Sequence, residues 1–143
     1  MSKQAKENIV AFGHENIQAS HKTTLMFTKE KHASNTGDCI AAVTADKALL
    51  DLTQTFKDNL RKSNAKLTII IEAGGFVEQI NASGSPKLIL THPTDMVIRK
   101  SSYISDRTLA IDADKSSNDL SRELVEKLKN PKQKINITLV VQS

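Results

Sequence analysis

Apolar and polar residues alternate over "NIVAF" (8–12) and "QINAS" (79–83), the period of a strand with one buried face. "TLMFT" (24–28) and "MVIRK" (96–100) are short apolar runs of bulky or β-branched residues and also predict strands. "CIAAV" (39–43) and "TLAI" (108–111) come after Asp38 and Asp106 as shorter strands. The period then changes. Leu49, Leu52, Phe56 and Leu60 recur at helical spacing, as do Leu120, Leu124 and Leu128. "KLTIIIEA" (66–73) and "KINITLVV" (134–141) return to the strand pattern, while "EAGGF" and "ASGSP" read as turns. The order is strands, helix, strand, given twice. It predicts a mainly β fold, a β-sandwich or closed barrel with two helices over its ends or one face. Helices do not alternate with every strand, which argues against a parallel α/β sheet.

The doubled order extends to the residues themselves. At an offset of 71, Glu7 meets Glu78, Ile9 meets Ile80, Gly13 meets Gly84, His21 meets His92, Thr23 meets Thr94 and Lys29 meets Lys100. At an offset of 68, Asp38 meets Asp106, Ala45-Asp46-Lys47 meets Ala113-Asp114-Lys115, and Asp51-Leu52 meets Asp119-Leu120. Roughly 17 of about 58 aligned positions are identical, several times what ordinary residue frequencies give. The expectation is one domain, 1–143, built from internal repeats 7–73 and 78–142 and packed with pseudo-twofold symmetry.

Composition narrows the setting. A chain of 143 residues, 38% hydrophobic and 25% charged, suits one domain with a real core. No apolar run reaches the roughly 20 residues of a membrane helix, and the opening "MSKQAKENIV" is polar. With one cysteine, Cys39, there is no internal disulfide. A cytoplasmic protein without a membrane partner is expected. The net charge of +4 permits an anionic partner without demanding one. With no Trp, one Tyr and four Phe, a stacking platform for single-stranded nucleic acid is not expected, although a basic strip for an RNA backbone is still open.

Several residues carry candidate chemistry. Asp46 and Asp114 precede the leucine-rich stretches and are read as helix N-caps. Lys47 and Lys115 then fall in a first turn, where a cation opposes the helix dipole. They either pair with a carboxylate or help bind an anion. His21 and His92 correspond across the repeat. They either bond to backbone at strand ends or converge, with His14 or Cys39 completing a transition-metal site. Cys39 is a small buried apolar residue or, with His21, a catalytic nucleophile. In "IRKSSYISDRT", the cations and hydroxyls of Arg99, Lys100, Ser101, Ser102, Tyr103, Arg107 and Thr108 suit phosphate binding or the solvated end of a hairpin. No P-loop, GxGxxG, HExxH, GxSxG or CxxC motif occurs.

"FGHENI", "SHKTT", "TGDCIAAVTADK", "HPTDMVIRKSSYISDRTLAIDADK" and "RELVEKL" together resemble an archaeal family known as domain of unknown function 371. The resemblance covers nearly the whole chain. It implies a strand-rich, jelly-roll-like sandwich and brings no established activity. Its signature positions here are Gly13, His14, His21, Thr23, Gly37, Asp38, Cys39, Asp46, Arg99, Lys100, Ser101, Arg107 and Thr108. Met26 stands where the family pattern often has an acid. The function expected first is binding of a phosphate-bearing ligand, a nucleotide or an RNA backbone. A His/Cys enzyme, metal-dependent or not, and an interaction module without a small-molecule site are the alternatives.

Overall fold

The computed structural model describes residues 3–33 and 37–143. These form strands β1 (Gln4–Phe12), β2 (Thr24–Thr28), β3 (Ile40–Ala42), β4 (Lys66–Ala73), β5 (Phe76–Ser83), β6 (Asp95–Arg99), β7 (Thr108–Ala110) and β8 (Lys134–Gln142). Two short helices, α1 (Gln54–Leu60) and α2 (Arg122–Leu128), precede β4 and β8. The strands make two four-stranded sheets, ordered β1-β8-β4-β5 and β3-β2-β6-β7. The first is antiparallel throughout. In the second, the central pair β2–β6 is antiparallel and the short outer strands are parallel to their neighbours. Single bridges, Phe12 to Val43 and Ser83 to Ile111, join the sheets at two edges. No ladder continues through them, so the fold is two sheets and not the closed barrel that the sequence left open. No helix of the described residues is long and apolar enough to cross a membrane.

The alternation in sequence is the alternation of burial. In β4, Leu67, Ile69, Ile71 and Ala73 are buried, and in β8 so are Ile135, Ile137, Leu139 and Val141. The register sets Leu67 beside Val141, Ile69 beside Leu139 and Ile71 beside Ile137. The second sheet is covered on both faces. Leu25 and Phe27, opposite Ile98 and Met96, lie on one face, and Met26, opposite Val97, lies on the other. All six are buried. Phe56 and Leu60 of α1, with Leu124, Val125 and Leu128 of α2, complete the core.

The helices start later than their leucine spacing suggests. Leu49–Asp51 and Ser117–Asp119 form single 3-10 turns, each followed by an extended leucine, Leu52 or Leu120. The N-caps are Thr53, whose hydroxyl accepts from the Phe56 N–H, and Ser121, whose hydroxyl accepts from the Leu124 N–H. Asp46 and Asp114 therefore do not cap the helices. Asp46 Oδ1 accepts from the Val10 N–H at 3.0 Å, and Asp114 Oδ1 from the Asn81 N–H at 2.9 Å. Both serve edge strands, β1 and β5, whose outward N–H groups have no sheet neighbour there.

Each helix braces a segment from the other half of the chain. The Leu128 carbonyl accepts from the His14 N–H, and the Leu60 carbonyl from the Ser85 N–H. A Cβ at Gly13 would collide with the Leu128 and Asn130 carbonyls, and one at Gly84 with the Leu60 carbonyl. Two glutamates complete the frame. Glu7 accepts from the Thr53 N–H at 2.8 Å and pairs with Lys47 at 2.9 Å. Glu78 accepts from the Ser121 N–H at 2.8 Å and pairs with Lys115 at 2.8 Å.

Two outcomes follow. Gly84→Ala must push a backbone carbonyl aside and is expected to cost about 3 kcal/mol or more, read as a lowered midpoint in thermal unfolding. For Glu7, burial raises the carboxyl pKa, but the Thr53 N–H and the Lys47 ammonium outweigh it, so the folded value lies below the ordinary 4.5. Its contribution is thus full above the ordinary value and is lost as pH falls through the lower folded one. Glu7→Gln should cost about 1–3 kcal/mol at neutral pH and flatten the loss of stability below about pH 4.5 in urea unfolding.

Candidate functional site

The face of the second sheet that carries Met26 and Val97 also carries charge. The antiparallel register places Thr28 opposite Asp95 and Thr24 opposite Arg99. Asp95 is buried and fully engaged. Its Oδ1 accepts from the Thr28 hydroxyl at 2.7 Å and the Thr94 hydroxyl at 3.2 Å. Its Oδ2 accepts from Arg107, Nε at 2.9 Å and Nη2 at 2.7 Å. Arg107 Nη2 also lies 2.9 Å from Met26 Sδ. Met26 is thus in contact with an arginine. Arg107 is itself neutralised by Asp95.

Arg99 is held differently. Its Nε donates to the Thr108 hydroxyl at 3.0 Å and its Nη2 to the Ser105 hydroxyl at 3.1 Å. Those hydroxyls are fixed in turn. Thr108 Oγ1 accepts from the Ser105 N–H, and Ser105 Oγ from the Arg107 N–H. The loop from β6 to β7 is therefore wrapped around one edge of the guanidinium. Tyr103 sits over the group, its ring centre 5.0 Å from Cζ. No carboxylate among the described residues pairs with Arg99. Burial lowers its pKa from the ordinary arginine value; nearby Arg107 adds to this, while Tyr103 and Cys39 oppose it. Arginine stays charged even so. The result is a half-buried cation with three of its five donors uncommitted.

Cys39, at the entry to β3, lies close enough to Arg99 and Arg107 to interact with both electrostatically. Burial pushes its thiol up; the Thr24 hydroxyl and Arg107 pull it down, and Asp38 pushes it up again. The balance is a raised pKa. Thr24 Oγ1 is 2.9 Å from His21 Nδ1, so one hydroxyl stands between His21 and Cys39.

The histidines cap their own turns. His21 Nδ1 accepts from the Thr23 and Thr24 N–H groups, His92 Nδ1 from those of Thr94 and Asp95, and His14 Nδ1 from that of Asn16. In the neutral ring the proton then sits on Nε2. Among the described residues, no three His, Cys, Asp or Glu side chains are grouped as metal ligands would be.

The residues singled out in the sequence thus divide. Cys39, Arg99, Arg107 and Thr108 meet around the end of β6 and the start of β7, with His21 reaching them through Thr24. Lys47 and Lys115 lie apart, each tied to its glutamate. They precede the 3-10 turns and are not in a helical first turn, so they do not oppose a helix dipole. Lys100 pairs with Asp119 at 2.7 Å, and Ser101 Oγ accepts from the Tyr103 N–H. Thr24, Asp95 and Ser105 are site residues that sequence reasoning missed. Elsewhere, an open depression of about 240 Å³ by Lys66, Asn81, Ser83, Asp112 and Asp114 lies along β5.

Comparison with known proteins bears on what this site belongs to. A protein of Methanocaldococcus jannaschii described as uncharacterized is 50% identical over 127 residues, covering 89% of this chain and 93% of that protein. Residues 9–142, which include every residue of the Arg99 cluster, match a family model described as domain of unknown function, DUF371. The chain belongs to that family.

Proposed function

We propose that Arg99 is the centre of an anion site for a phosphate-bearing ligand. One observation carries this reading. Arg99 is a half-buried guanidinium, clamped by two hydroxyls and lacking a carboxylate among the described residues. A part-desolvated cation gains more from an incoming anion than a solvated one does. The other arginines are spoken for. Arg61 donates to the Leu88 and Ile89 carbonyls, Arg122 to the Ala19, Ser117 and Leu120 carbonyls, and Arg107 to Asp95. Inorganic phosphate and pyrophosphate, titrated in thermal unfolding, should raise the midpoint of the wild type. A ligand at a hundredfold its Kd stabilises by about 2.7 kcal/mol. Arg99→Gln should abolish the shift and Lys115→Gln should leave it. Equal shifts in wild type and Arg99→Gln, or none in either, refute the proposal.

The same reading includes a fused duplication, 7–73 and 78–142, in one domain and a cytoplasmic setting. Paired contacts support the duplication. The backbone N–H bonds that Asp46, Glu7, His21 and Asp51 accept have their matches at Asp114, Glu78, His92 and Asp119. Uncommon left-handed backbone also recurs in pairs, at Ala19 and Leu90 and at Thr44 and Asp112.

A thiol enzyme using Cys39 and His21 has the bridging Thr24 hydroxyl in its favour. The raised pKa stands against it, because the thiolate is the nucleophile. Cys39 should therefore alkylate with iodoacetamide at neutral pH more slowly than free cysteine. Faster alkylation, lost on Arg107→Gln, would favour the enzyme instead.

A further inference from the structure

Arg99 presents two edges, and only one is used within the protein. The Nε–Nη2 edge is committed to Thr108 and Ser105. The Nη1–Nη2 edge has no partner among the described residues, and it matches two oxygens of one phosphate or carboxylate. Tyr103 adds a second feature. Its ring packs on the guanidinium on one side, yet the residue is 63% exposed. An aromatic ring pinned by a cation beneath it and bare above is a surface for a second flat ring.

The surroundings limit the size of what binds. Two neighbouring cations are already neutralised, Arg107 by Asp95 and Lys100 by Asp119, while Lys22, next to the Thr23 carbonyl that accepts from the Lys100 N–H, has no carboxylate partner among the described residues. A strand of RNA held by its backbone needs several free cations in a row, and among the described residues this neighbourhood offers Arg99 and Lys22. Among the described residues the other exposed aromatic, Phe76, opens β5 in the other sheet, under Lys127, and so extends no row of rings from Tyr103. The footprint is one anionic group and one ring.

We propose that the ligand is a single nucleoside monophosphate, its phosphate on the free edge of Arg99 and its base on Tyr103. This rests on the anion-site reading of Arg99 and adds the base. A base contact explains what the hydroxyl clamp alone does not, namely why an exposed tyrosine is held over the cation.

The test is calorimetric titration of the whole protein with inorganic phosphate, ribose 5-phosphate, adenosine 5′-monophosphate and an eight-nucleotide single-stranded RNA. Wild type should bind the nucleotide about tenfold more tightly than ribose 5-phosphate. Tyr103→Ala should erase that preference while leaving phosphate binding, and Tyr103→Phe should keep it. Arg99→Gln should remove binding of all three small ligands. The RNA should bind no more tightly than the nucleotide and show a shallow dependence on salt. If the three small ligands bind equally well, or Tyr103→Ala keeps the preference, the base contact is wrong and the anion site stands. RNA binding far tighter than the nucleotide, with the steep salt slope of many phosphate contacts, overturns the mononucleotide in favour of a backbone interface. Failure of every phosphate compound overturns both readings.

Discussion

The antiparallel pairing of β2 with β6 is the constraint on which the rest of the second sheet depends. Because side chains alternate between faces, this register decides everything about the layer at once. It puts Leu25, Phe27, Met96 and Ile98 together on one face, and Thr24, Met26, Thr28, Asp95, Val97 and Arg99 on the other. A slip of one residue would drive Asp95 and Arg99 among the leucine and phenylalanine side chains. The hydroxyl of Thr28 on Asp95 and the guanidinium of Arg107 on the same carboxylate make such a slip costly from the polar side too. A buried carboxylate stripped of those partners is strongly destabilising.

The same economy of polar groups governs the outer parts of the fold. Short helices of seven residues have little stability of their own. Here their first turns are served from outside. Glu7 and Glu78, on the edge strands, accept from the N-cap N–H groups. The ends of the helices in turn receive N–H groups from His14 and Ser85. The His21 carbonyl accepts from the Asn118 N–H and the His92 carbonyl from the Leu50 N–H, so each 3-10 turn is tied to the other half of the chain. Neither half closes its own hydrogen bonds.

What could be read from the sequence follows from which interactions are local. β1, β4, β5 and β8 show in their alternation because one face meets the core. The helix starts were misplaced because leucine-like positions at helical spacing fit a 3-10 turn plus a helix as well as one longer helix. Thr53 and Ser121, N-cap residue types just before the true starts, were the available signal. Asp46 and Asp114 are of the same type at a more conspicuous place, and what they satisfy is a strand edge. Arg99, Arg107 and Thr108 stood out as a polar cluster in one segment. Their partners Thr24 and Asp95 did not, because only the β2–β6 pairing brings them there.

Under the proposed duplication, the Arg99 site is a place where two copies have diverged. The alignment sets Thr24 against Asp95, Thr28 against Arg99, Cys39 against Arg107 and Ile40 against Thr108. At each of these positions the second half has the charged or more polar residue. Around the frame nothing comparable has happened: Glu7 and Glu78, Asp46 and Asp114, Lys47 and Lys115, and His21 and His92 are the same in both halves and accept from or pair with the equivalent backbone N–H groups and carboxylates. The difference lies on one sheet face, at the ends of its strands. The register sets Arg99 opposite Thr24 and Asp95 opposite Thr28, so copying the second half's residues into the first would double both the arginines and the carboxylates on this face. Confining the arginines of this face to one half, with Asp95 to neutralise Arg107, leaves the Arg99 guanidinium for a ligand.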